Sequence, residues 1–216
     1  MNSRPIVDAN GLLCLTPSAL RCSAGSPPGH DRASGCGEAP LGDIDQIIEV
    51  NLRAPIVLSR LLLSKLIQRG RGHIVNISSL AGLGGAAYQE LYCATKHGLV
   101  GFTRSLRATV SNESYPVGCS VVCPGFIDDV GMYADMSRES GVKAPLSFGT
   151  SPPERVARAV VRAVQRDVPE IVVNPMPIRP LLVVALFAPR FALWLLNQLG
   201  ISRFFEAAAK QQLSKD

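Results

Sequence analysis

From Asp43 onward, short β-branched runs alternate with longer helical ones, and this alternation constrains the fold more than any other feature of the sequence. "HIVNIS" from His73, "VGCSVVCPG" from Val117 and "EIVVN" from Glu170 have the length and residue types of buried strands. Between them lie helical patterns, "ELYCATKHGLVGFTRSLRATVSNE" and "SPPERVARAVVRAVQRD". Strands joined by a helix cannot form a tight hairpin. They pair in parallel through crossovers, which implies an α/β fold with a doubly wound parallel sheet.

Local signals refine the element ends. "DIDQIIEVNLRAPIVLSRLLLSKLIQRGRG" reads as one long helix, capped by Asp43, kinked at Pro55 and closed by Gly70 or Gly72. Ser151 and Glu154 have capping-box spacing, with prolines in the first turn that follows. Residues 1–42 are instead rich in Gly, Pro, Ser and Cys, and only "GLLCL" and "SALRCSAG" have the texture of regular structure. The chain therefore divides into an irregular segment 1–42, a layered part 43–175 and an apolar, helical extension 176–216.

The extension contains "PLLVVALFAPRFALWLLNQLGISRFF", broken by Pro180, Pro189 and Arg190. Each charge-free run falls short of the ~20 residues that span a bilayer. Packing on the core, roofing a substrate pocket, lying on a membrane surface and anchoring in one all remain open for it.

Composition excludes several function classes. A formal charge of +5 with arginines spread along helices, and no basic run or reading motif, gives no nucleic-acid partner. The six cysteines form no CxxC pair and no Cys/His spacing, so no metal site is expected. Cys119 and Cys123 fall in a strand, where free cysteine acts as a small hydrophobe. With no long apolar region at the N-terminus, a reducing cytoplasm is the expected compartment.

The chemistry is carried by "SSLAGLGGAAYQELYCATK". Tyr92 and Lys96 are four apart on a helix pattern and share a face. A tyrosine with a pKa near 10 is a poor base at neutral pH, and a nearby ammonium lowers that value by about 1–3 units. Ser79 closes the "HIVNIS" strand, thirteen residues before Tyr92, at the kind of strand end where ligands bind in open α/β sheets. A hydroxyl there can hold a carbonyl oxygen beside the tyrosine. The bare YxxxK pattern on its own is more often a surface pair.

In combination, "GHIVNISSLAG", the spacing to "YCATKHG", "SVVCPGF" and Asn51 in "VNLRAP" resemble the short-chain dehydrogenase/reductase family, from about Asp43 to the C-terminus. The resemblance implies a Rossmann-like fold and an NAD(P)-dependent oxidoreductase that interconverts an alcohol and a carbonyl by hydride transfer. It casts Tyr92 as acid/base, Lys96 as the group that lowers its pKa and bonds the nicotinamide ribose, and Ser79 as the group that orients the substrate oxygen. Asn51 would hold a water linking Lys96 to solvent. Ile77, Tyr92, Lys96, Pro124, Gly125, Phe126 and Ile127 would contact the cofactor, NAD or NADP. Tyr88 is expected to line the pocket and His97 to be structural. The helices bearing Asn51 and Tyr92 would pack against a second subunit in a homo-oligomer, and the apolar extension suits a lipophilic alcohol or ketone.

Two departures qualify these expectations. Asp129 stands where the family places a threonine, and an ionised carboxylate accepts hydrogen bonds but donates none. The family's glycine-rich turn, whose backbone N–H groups hold the pyrophosphate, is not recognisable before Asp43. "CSAG" from Cys22 is at most a relic of the loop that precedes the Asn51 helix. The sheet is accordingly expected to be N-terminally incomplete, as from a truncated or mis-started frame, with cofactor binding weakened or lost. The alternative functions are an inactive remnant serving as a dimerisation module and a peripheral membrane protein using its apolar C-terminus.

Overall fold

The structure, a computed structural model, describes residues 12–15 and 41–213. Its centre is a four-stranded, all-parallel sheet of β1 (Leu12–Leu15), β2 (Gly72–Ile77), β3 (Val117–Pro124) and β4 (Glu170–Val173). Spatial order equals chain order, β1-β2-β3-β4. Among the described strands the order therefore never reverses, so the switch point of a doubly wound sheet is not among them. Leu12–Leu15 of the "GLLCL" run form β1, the edge strand among the described residues, with Leu13 opposite Ile74. "SALRCSAG" and the "CSAG" relic lie outside the described residues.

Both faces of the sheet are covered. Ile74 and Cys119 face Leu66 of α2 (Ala54–Gln68) and Val110 of α3 (Glu90–Asn112). Val75, Ile77 and Val122 face Ala159, Val160 and Ala163 of α5 (Pro153–Gln165). This two-sided burial explains why the strands read as continuous apolar runs. Each fully buried Val or Ile side chain contributes about 1.5–3 kcal/mol relative to exposure.

The long first helix is interrupted. α1 (Leu41–Ile48) passes into a π-helical turn, Glu49–Arg53, before α2 begins. The Ala54 N–H donates to the Glu49 carbonyl, one residue farther back than in an α-helix. Pro55 follows at once, with no N–H to give and a ring that would strike the carbonyl of Asn51 in a regular helix. The wider π turn removes that clash, so the expected kink takes this form. Asp43 is not the cap but lies in the first turn of α1, where a carboxylate still favours the helix dipole. Gly70, at φ +72°, closes α2.

The expected capping box on α5 does not form. Its cap residue is Pro152, and the hydroxyl of the fully buried Ser151 has no hydrogen-bond partner. Ser151 is used through its backbone instead. It donates to the Phe126 carbonyl at 2.9 Å and accepts from the Asp128 N–H at 3.0 Å. That bridge pins the chain leaving β3.

The C-terminal extension forms three helices, α6 (Arg179–Phe187), α7 (Pro189–Gln198) and α8 (Ile201–Leu213). α8 packs on α4 (Met132–Ser140) through Phe204, Phe205 and Met136, joined by Phe148 and by Phe126 from the β3 exit. No helix among the described residues is long and apolar enough to cross a membrane.

Candidate active site

The carboxyl ends of β2 and β3 open into a cavity of about 440 Å³. Ile77 and Ser79 form its floor on the β2 side, with Pro124 and Gly125 on the β3 side. Phe126 and Ile127 extend that side, and Tyr92 of α3 enters from the flank. Helices α6 and α7 roof it with Leu181, Ala185 and Leu196. No lining side chain carries a formal charge; the polar ones are hydroxyls and the amide of Gln89.

Ser79 caps a short 3₁₀ turn, Leu80–Gly82. Its Oγ accepts the Ala81 N–H at 3.2 Å and donates to the Pro124 carbonyl at 3.4 Å, long for such a bond. The hydroxyl is therefore positioned by the backbone yet held weakly as a donor, and it can turn toward an incoming oxygen. Its neighbour Ser78 is buried and donates from Oγ to the carbonyl of Lys96 at 3.0 Å. This bond seats α3 on the strand end and fixes the height of the Tyr92 turn.

Lys96 is 1% exposed. Its Nζ donates to the Ile77 carbonyl at 3.4 Å and stands 5.5 Å from the centre of the Tyr92 ring. The ammonium thus lies behind the tyrosine, between it and the end of β2. Tyr92 is half-buried, so the phenol meets the cavity on one side and the positive charge on the other.

Asn51 is placed differently. It is half-buried in the π turn, which packs on α3, where Leu52 lies about 3.0 Å from the position a Cβ on Gly98 would take. The structure brings Asn51 to the helix that carries Tyr92 and Lys96 but not into the cavity lining.

Of the expected cofactor-contacting residues, Ile77, Tyr92, Pro124, Gly125, Phe126 and Ile127 line the cavity, with Lys96 directly behind. Phe126 also packs on α4 and α8, its ring 5.1 Å from Tyr133 and 5.2 Å from Phe204. Asp129 turns away from the lining. It adopts φ +63°, and its carbonyl accepts from Arg138 at 3.0 Å.

Tyr88 corrects the expectation that it lines the pocket. It precedes α3 in a left-handed conformation, φ 61°, and packs against the α4–α8 cluster. Buried Gln89 lines the cavity instead and donates to the Tyr88 carbonyl at 3.0 Å. An amide directly before a helix was the available signal for it. His97 is exposed and bonds the Cys93 carbonyl through Nδ1 at 2.9 Å.

Cys93, Cys119 and Cys123 are free and buried. Burial pushes the Cys119 thiol up to about 11 and the Cys123 thiol up to about 12, so neither supplies a thiolate. Among the described residues no cluster of His, Cys, Asp or Glu forms a metal site.

Comparison with known proteins points one way. The family model for short chain dehydrogenase matches residues 22–141. The ketoacyl reductase HetN of Nostoc sp. is 42% identical over 138 residues, 64% of this chain and 46% of that protein. The 3-oxoacyl-[acyl-carrier-protein] reductase FabG of Rickettsia prowazekii is 42% identical over 122 residues, 55% of this chain and 49% of that protein. The chain spans about half the length of these relatives. Among solved structures, 4-hydroxyisoleucine dehydrogenase complexed with NADH and succinate superposes with a TM-score of 0.54 at 22% identity, over 66% of this chain and 62% of that one. At that identity the likeness concerns the fold.

Proposed function

The chain belongs to the short chain dehydrogenase family, and on that premise we propose that it carries the proton-transfer site of an NAD(P)-dependent oxidoreductase acting on an uncharged, lipophilic alcohol or ketone. The observation that carries this reading is the placement of Tyr92 and Ser79 on one apolar cavity, with the Lys96 ammonium buried behind the tyrosine. Residues 43–175 form the catalytic part, and the described residues of the 176–216 extension supply the roof.

The nicotinamide end of a dinucleotide fits the residues present. The Ile77 carbonyl, the Lys96 ammonium and the Pro124–Ile127 segment meet at one end of the sheet, as a ribose and its ring require. When bound, the cofactor supplies or takes the hydride. Among the described residues no glycine-rich strand–turn–helix element stands ready for its pyrophosphate.

The chain's own residues handle the proton and the orientation. In reduction, Ser79 Oγ gives up its long bond to Pro124 and donates to the carbonyl oxygen. Tyr92 donates its phenolic proton to the same oxygen as it gains electrons. The phenolate left behind is stabilised by Lys96 at the ring's inner side. In oxidation the same groups run in reverse. Apolar walls keep water from the reacting centre and favour a neutral substrate. Relatives named for ketoacyl and 3-oxoacyl reduction support a carbonyl on an apolar chain as the substrate type.

A fluorescence titration with NADH and NADPH, followed by turnover with apolar ketones, tests the proposal. Tyr92→Phe should lower kcat by about 10²–10⁴-fold while weakening cofactor binding far less. Equal turnover by Tyr92→Phe, or no binding by the folded chain at about millimolar cofactor, overturns it.

A homo-oligomer through the helices bearing Asn51 and Tyr92 belongs to the same reading. It is supported by Ile48, Val50, Val57 and Leu61, apolar residues exposed along α1, the π turn and α2. The free, buried thiols suit a reducing cytoplasm.

A further inference from the structure

Helix α6 is apolar on every side after Arg179 and Pro180, yet none of its nine residues is buried. Such a helix belongs in a core or in a lipid phase. Its inner side chains Leu181, Leu182 and Ala185 wall the cavity. Val183, Leu186 and Phe187 are exposed, Phe187 at 86%. A single residue, Ala188, separates it from α7, which packs beside it and exposes Phe191, Leu193 and Trp194. The Phe191 and Trp194 rings stack at 5.6 Å. The hairpin is thus one helix thick, with the cavity on one side and an apolar, aromatic surface on the other.

Charge identifies the occupant of that surface. Between Glu170 and Glu206 the sequence has no carboxylate and three arginines, Arg179, Arg190 and Arg203. Arg179 is partly neutralised by Glu170 at 3.8 Å, so exposed Arg190, beside the aromatics, and exposed Arg203 on α8 carry the rest of the segment's positive charge. In a two-fold contact the patch would meet itself, bringing like-charged arginines together with no carboxylate from the segment to pair them. An anionic lipid surface offers apolar depth for Leu186 and Phe187, an interface for Trp194, and phosphates for the arginines.

We propose that the α6–α7 hairpin seats the protein in the plane of an anionic phospholipid surface, from which the cavity is loaded with apolar substrate. Leu193 lies at the crossing point, lining the cavity and remaining 58% exposed. Neither helix spans the bilayer, so the contact is peripheral and sensitive to salt.

Trp194 is the only tryptophan in the sequence and reports on this contact directly. Phosphatidylcholine vesicles containing phosphatidylglycerol should shift its emission to the blue and carry the protein upward in flotation; pure phosphatidylcholine should do so several-fold less. Phe187→Asp and Arg190→Glu both keep the reporter and lie outside the proton-transfer site. Each should weaken binding to the mixed vesicles about tenfold or more while circular dichroism stays unchanged. Three results would each overturn the proposal: unchanged emission and no flotation of the folded protein, undiminished binding by Phe187→Asp, or a dimer that Phe187→Asp splits, which assigns the patch to a second copy. Flotation requires neither cofactor nor turnover, so its failure leaves the oxidoreductase reading standing, and the reverse holds as well.

Discussion

A Cβ placed on Gly82 would stand 2.5 Å from Ser78 Oγ and 2.7 Å from the carbonyl oxygen of Lys96. The second contact is backbone and cannot rotate aside, so the 3₁₀ turn would be forced off α3. Gly101, exposed within α3, has nothing within 4 Å of its Cβ position. Gly82→Ala is therefore expected to destabilise the fold by about 1–3 kcal/mol and to displace Tyr92. Gly101→Ala should gain about 0.5–1 kcal/mol through helix propensity. Thermal melts of the two variants should move in opposite directions, and a shared sign would refute the packing argument. Gly125 differs from Gly82, since the atom nearest its Cβ position, Asn174 Oδ1 at 2.4 Å, is the end of a side chain that can turn aside.

Among the elements, α3 is tied to the far end of the sheet by polar contacts that also bear on pH. Arg107 holds the Asp167 carboxylate through two bonds, at 2.8 and 2.7 Å, and Arg104 bonds Glu170 at 2.6 Å. Buried His73 shares Ser120 with the same corner. Ser120 Oγ gives its proton to the Val168 carbonyl at 2.6 Å, so at 2.7 Å it must accept from His73 Nε2. Neutral His73 thus leaves Nδ1 bare, 3.9 Å from Asp167. Burial lowers the His73 pKa from 6.5, a shift the Asp167 charge opposes in part. The unfolded chain then binds this proton more readily, and the stability conferred by the neutral ring is lost as pH falls below 6.5 toward the folded pKa. The Asp167 pKa is lowered by its bonds to Arg107, which adds a loss below the ordinary carboxylate range. Denaturant titrations should show stability declining from about pH 6.5 downward, and His73→Gln should flatten the decline above about pH 5. An equal slope in the variant would assign the acid sensitivity elsewhere.

At the scale of the molecule, two apolar faces stand exposed among the described residues, and they differ in charge. The α6–α7 face carries arginines without carboxylates, whereas the α1–α2 face exposes Val57 and Leu61 beside the Arg53–Glu49 pair at 2.6 Å. A face bearing both signs can meet its own copy, which suits subunit pairing there. Light scattering should find a dimer that Leu61→Glu splits while the melting temperature changes by only a few degrees. A monomeric parent protein would remove this assignment.

The sequence by itself determined the parallel α/β layering, because β-branched runs separated by helices admit no other pairing. It also placed Tyr92 and Lys96 on one helical face, because a four-residue spacing does so in any helix. The ends of β2 and β3 were legible to within a residue, because apolar, β-branched runs mark buried strands. Tertiary structure decided the rest. The pairing of β2 with β3 and of β1 with β2, and the roof over the cavity, come from contacts distant in sequence. Tyr88 left its expected place in the pocket because its left-handed turn before α3 packs it against the α4–α8 cluster, and Gln89, for which no role was expected, lines the cavity. Ser151 failed as a cap because its backbone was required by Phe126 and Asp128. In each case a local preference worth about 1 kcal/mol yielded to long-range burial and pairing worth several.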